Sequence, residues 1–160
     1  MTIYVMPAAE AGGNVSVAYP DCAGDVVVNR YEIDLASGPL KGVTLAIGDI
    51  IDLGLIPALT EVVDLVIDSD DLDSNATPTI AFNVGVMTGT PGVNTGRTCG
   101  TQFAAASTVA QAGGVARMSK AAGFRVARAN TDVSVGLEIT AAAATQAASG
   151  KLGVSVFVKG

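Results

Sequence analysis

The chain has 160 residues, 49% hydrophobic and only 15% charged, with a formal net charge of −6; soluble domains average about 25% charged residues. One core is expected, disorder is excluded because unfolded chains are poor in apolar residues, and so little charge points to a surface that is largely covered in the working state. The sharpest exclusion is chemical: there is no histidine, so Ser-His-Asp catalysis, Cys-His catalysis and most zinc sites fall away.

Residues 1–14 stand apart. Met1–Met6 can form an edge strand, but Pro7–Asn14 is aperiodic and rich in Ala and Gly. The segment reads as an extended N-terminal arm ordered mainly by a partner, ahead of a single domain at 15–160. No Lys or Arg precedes its short apolar stretch, so a targeting segment is not expected. The most apolar region, Val43–Ile67, is interrupted by Asp49, Asp52, Glu61 and Asp64, well short of the ~20 residues that cross a bilayer. A soluble, intracellular product with no membrane partner is expected. Cys22 and Cys99 read as free thiols in preference to a bridge.

Strands are expected at Asp25–Asn29, Tyr31–Leu35, Val43–Ile47 and Asp49–Leu53. Asp49 and Asp52 read as strand-edge punctuation in preference to a glycosidase pair, for which the surrounding aromatic sugar platform is lacking: the chain has no Trp. Glu61–Asp68 alternates with Val63, Leu65 and Ile67 on one face and Val62, Asp64 and Val66 on the other. Thr79–Met87 forms the next strand, with Ile80, Phe82, Val84 and Val86 facing one way. Between them, Ser69–Pro78 is a solvated connection of Asp, Asn, Ser and Pro. A calcium loop started at Asp71 would meet Ala76 where Gly is needed and Phe82 where the bidentate Glu is needed.

Thr90–Thr98 sits where a phosphate-binding loop would, but Pro91 replaces its first Gly and Arg97 its Lys. The plain reading is a flexible loop whose Arg97 projects to a partner. Gln102–Ala112 has the Ala content and the Phe103, Ala106, Ala110 spacing of a short helix ended by Gly113-Gly114. Arg117, Lys120, Arg125 and Arg128 follow, a basic cluster suited to protein contact; with a pI near 4.4, nucleic acid is an unlikely partner. Val133–Thr140 and Leu152–Val158 close the chain as alternating strands. Many short strands with turn signals about every ten residues predict an all-β chain, a jelly-roll-like β-sandwich with at most one or two short helices.

Charge divides unevenly along this order. Residues 1–80 carry 13 acidic and 2 basic side chains, a net of −11, whereas residues 81–160 carry 2 acidic and 7 basic, a net of +5. Either the halves interleave and neutralise each other in one sandwich, or an acidic and a basic face meet between copies.

Gly48–Ala58, the strand Val62–Asp68 and Ala105–Gly114 resemble small virion proteins associated with the major capsid protein of tailed bacteriophages, and the similarity runs from about Val26 to the C-terminus. The resemblance is to cement or decoration proteins. It implies a jelly roll on the capsid exterior, commonly a homotrimer, with an arm over neighbouring subunits, stabilising the shell by bridging major capsid proteins; synthesis would be in the host cytoplasm. The candidate contact residues are Arg97, Arg117, Lys120, Arg125, Arg128, Asp70, Asp71 and Asp73. No catalytic, cofactor or metal residue is assigned. A tail-tube or fibre-associated role is the alternative, and a nucleotide-binding enzyme a distant third.

Overall fold

The computed structural model describes residues 1–9 and 25–160. Among them are nine strands: β1 Ile3–Val5, β2 Val26–Asp34, β3 Ile50–Ile56, β4 Glu61–Ser69, β5 Ala81–Val86, β6 Ala104–Ser107, β7 Gly114–Arg117, β8 Val133–Ala141 and β9 Lys151–Lys159. They form two sheets, one in the order β1-β3-β8-β5-β6 (sheet A) and one in the order β2-β9-β4-β7 (sheet B). All pairings are antiparallel except β1 on β3. The expected all-β sandwich is the observed architecture, and helical content among the described residues is limited to four three-residue 3-10 turns.

Inward side chains of both sheets make one core, with Leu152, Val154, Val156 and Val158 of β9 facing Ile51, Leu53, Val135 and Leu137 of β3 and β8. Each such side chain contributes about 1.5–3 kcal/mol when fully buried. Tyr31 ties the sheets directly: from β2 its ring lies against Gly54 of β3, and its hydroxyl donates to the Leu55 carbonyl at 2.5 Å. Burial pushes this phenol's pKa well up.

Several local expectations are corrected. The two short strands expected around Arg30 are one strand, because Arg30 lies in the outward register of β2 and does not interrupt it. Val43–Ile47 forms no strand; the side chain of Gln146 takes the place of a partner strand, accepting from Leu45 N at 2.8 Å and donating to the Val43 carbonyl at 2.7 Å. In β4 the register shifts between Val62 and Asp64. This bulge puts Val62 in the core with Leu65 and Ile67, while Val63 does not share their face.

The helix expected at Gln102–Ala112 is absent. Phe103 is fully buried, its amide donates to the Val84 carbonyl at 3.1 Å, and β6 pairs with β5 before a single 3-10 turn at Val109–Gln111. Helix propensity separates ordinary residues by under about 1 kcal/mol each, less than burying one Phe and satisfying the open edge of β5.

Of the expected arm, residues 1–9 pack on their own sandwich. β1 is the edge strand expected within Met1–Met6, and Ile3, Met6 and Ala9 are buried. Glu10–Asn14, the remainder of the arm, and Cys22 lie outside the described residues.

Candidate functional site

The connection from β5 to β6 decides what sheet A can present. Met87 and Cys99 form a β-bridge, Thr88 N donates to the Thr98 carbonyl at 3.0 Å, and Gly100 N donates to the Val86 carbonyl at 3.0 Å. The connection is thus a folded strap, and it lies on the outer face of sheet A. Two glycines give it room: a Cβ on Gly136 would overlap the Met87 sulfur, and one on Gly85 would overlap the Gly100 carbonyl. Under the strap, Ile3, Ile50 and Met87 form a second small core flanked by Val5 and Cys99.

Arg97 does not project outward as expected. Its guanidinium pairs with Asp52, donates to Ser134 Oγ at 2.6 Å, and its Nε donates to the Thr88 carbonyl at 2.8 Å. Both members of the pair are closed to solvent, so the loop offers no free cation to a phosphate or to a partner. Asp52 is a buried counter-ion in mid-strand, not edge punctuation. Asp49 is also buried and accepts from Thr2 N at 2.7 Å and Ala46 N at 3.0 Å. Cys99 forms no disulfide with a described residue; burial, with Glu138 nearby, pushes its thiol pKa up to about 12.

The connection after β4 is more than a solvated loop. Leu72 is in the core, and Asp73 is buried with its carboxylate accepting from the backbone amides of Thr79, Ala144, Thr145 and Ile80 at 2.7, 2.9, 2.9 and 3.2 Å. Desolvation alone would raise this acid's pKa, but the amide donors outweigh it and hold the carboxyl well below the usual range. Asp70 and Asp71 are exposed at the surface, each spending one oxygen on a backbone amide, Lys151 N for Asp70 and Asp73 N for Asp71. Among the described residues no three His, Cys, Asp or Glu side chains gather as a metal site would require.

The basic residues do not act as one patch. Arg117 pairs with Asp64 at 2.5 Å, Arg128 with Glu61 at 3.5 Å, and Lys120 donates to the Thr101 carbonyl at 3.1 Å. Arg125 ends the turn Gly123–Arg125, exposed beside Phe124, and has no ion pair among the described residues. Arg97, Arg117, Arg128, Lys151 and Lys159 all pair with carboxylates of the first half of the chain. The reason is topological: acid-rich β4 lies between β9 and β7, so the halves interleave.

Nothing described covers the outer face of sheet B. Val26, Val28 and Val115 are exposed there. Arg30 reaches across Gly153 of β9, where a Cβ would overlap its guanidinium, to hold Asp68 of β4 through two contacts of 2.5 and 2.8 Å. Lys151 extends the row to Glu32 at 2.7 Å. The result is an open face, apolar at its margins and internally charge-balanced at its centre.

Among solved structures, the chain matches one chain in the capsid of Ralstonia phage GP4, with 40% identity over 99% of this chain and 98% of that chain and a TM-score of 0.87. This sequence belongs with the capsid proteins of phages. A second match, in the cyanophage Pam1 capsid asymmetric unit, has 29% identity over 96% of this chain and 98% of that one, with a TM-score of 0.65. No family model and no curated protein matches the chain.

For this phage capsid protein, sequence reasoning missed Asp52, Ser134 and the valines of the open face. A signal for the valines was present: with period two, Val26 and Val28 share the register of Arg30 and Glu32, which must face water. No such signal marked the partner of Arg97, because a register places a side chain on a face without saying what lies over it. Among the described residues no helix is long and apolar enough to cross a membrane.

Proposed function

We propose that this capsid protein binds the outside of a preformed phage shell and stabilises it by bridging neighbouring major capsid subunits, as a cement or decoration protein, with the homotrimer as its working unit. The observation that carries the reading is the end-to-end likeness to a chain of the GP4 capsid. The geometry agrees with a binding role: the inward faces are filled with apolar packing, Arg97 is neutralised, and exposed apolar side chains remain on sheet B and at Phe124. Arg117, Arg125, Arg128, Asp70 and Asp71 are the candidate contact residues that are exposed, Lys120 is half-buried, and Arg97 and Asp73 are buried.

Attachment to assembled shell but not to free subunits adds about 2.7 kcal/mol per site at a free concentration of ~100 Kd, repeated over the lattice. Purified particles should therefore contain this chain in fixed, high stoichiometry to the major capsid protein, and shells carrying it should release their genome at a higher temperature than stripped shells. A few copies per particle, or identical release temperatures at full occupancy, would overturn the reading. The native mass of the free protein tests the trimer.

A further inference from the structure

We infer that the N-terminal segment and the strap on sheet A form one clasp, with Asp52 as the shared anchor and Arg97 as its bolt, so that the two open and close together. Residues 1–9 hold to the sandwich through the short β1–β3 ladder and, beyond it, through Ile50 N to the Thr2 carbonyl at 2.8 Å, Thr2 N to Asp49 at 2.7 Å, and Met6 N to the Asp52 carbonyl at 2.9 Å. A three-residue parallel edge strand is marginal by itself. The strap is also short of partners of its own, since Gly89, Gly92 and Gly96 all have positive φ and contribute no side chain to packing.

Each supplies what the other lacks. Ile3 and Val5 of β1 pack in the same small core as Met87 and Cys99 at the two ends of the strap. Asp52 lies opposite Val5 in the β1–β3 register; its backbone carbonyl holds Met6 while its carboxylate holds Arg97. Releasing either segment exposes the apolar side chains of the other, and releasing the strap also leaves Asp52 buried without its partner. Coupling of this kind is reciprocal by thermodynamic necessity.

Hydrogen exchange on the full chain, followed by mass spectrometry, tests the clasp. Arg97→Met should accelerate exchange tenfold or more both in 88–98 and at the amides of Met6 and Ala9, with the β9 amides reporting the accompanying loss of global stability. Ile3→Ala, made in the other layer, should loosen 88–98 in return, while Val115→Ala on the exposed edge of sheet B should alter neither segment. If each substitution loosens only its own segment, the coupling is wrong. Should Arg97→Met deprotect β9 as strongly as the two segments, Ile3→Ala decides, and an unchanged strap in that variant overturns the inference.

Discussion

Arg97, delivered by the strap on sheet A, closes on Asp52 in the middle of β3, and side-chain exposure is 2% for one and 0% for the other. Removing one partner of such a pair leaves an uncompensated buried charge, at a cost of about 3–5 kcal/mol. Arg97→Met should therefore lose that much unfolding free energy in chemical denaturation, a large share of the roughly 5–15 kcal/mol typical of a domain. Adding Asp52→Asn to Arg97→Met should recover part of it. A double variant with the full sum of both single losses would show that the two groups are not energetically coupled.

Contact between Tyr31 and Gly54 gives a second test. A Cβ at position 54 would overlap the Tyr31 ring, so Gly54→Ala should destabilise by about 1–3 kcal/mol through overpacking. Tyr31→Phe removes the hydroxyl bond to Leu55 and should cost about 1 kcal/mol. Denaturant midpoints measure both, and a neutral Gly54→Ala would mean that the sheets separate more easily than their packing implies.

Acid should act through Asp73. Its pKa is depressed in the folded state, so the stability it contributes is fully present above the unfolded value of about 3.9 and is lost as pH falls through the lower folded value. Between about pH 4 and pH 2, wild-type stability should decline more steeply than that of Asp73→Asn, which should already be less stable at pH 7. Thermal melts across this range provide the check; parallel pH profiles would remove Asp73 from the acid response.

Cys99 should be nearly inert in the folded protein. With its thiol pKa pushed up to about 12, the reactive thiolate is scarce at pH 8. Alkylation at this residue, located by peptide mapping, should run about a hundredfold or more slower than in denaturant. Comparable rates in the two states would place Cys99 in contact with solvent.

Much of the sheet structure follows from the sequence alone. Period-two alternation marks β4, β5, β8 and β9, because a strand with one buried face must repeat every second residue. The lack of histidine and the broken phosphate-loop pattern at Pro91 and Arg97 likewise remove whole classes of chemistry at the level of sequence.

Tertiary structure alone decided what occupies the second face of each strand. β3 is buried along its whole length because the strap covers the face that sheet B does not and β1 pairs along its outer edge. The same covering turns Arg97 from an expected surface contact into a buried counter-ion, and pairing to β5 turns an Ala-rich segment from expected helix into strand. These outcomes depend on residues far apart in the chain, such as Asp52 with Arg97, 45 positions on, or Phe82 with Ser107, 25 positions on. Local propensity and periodicity carry no information about such encounters, since the deciding free energy comes from burial and pairing that exist only once the sheets have formed.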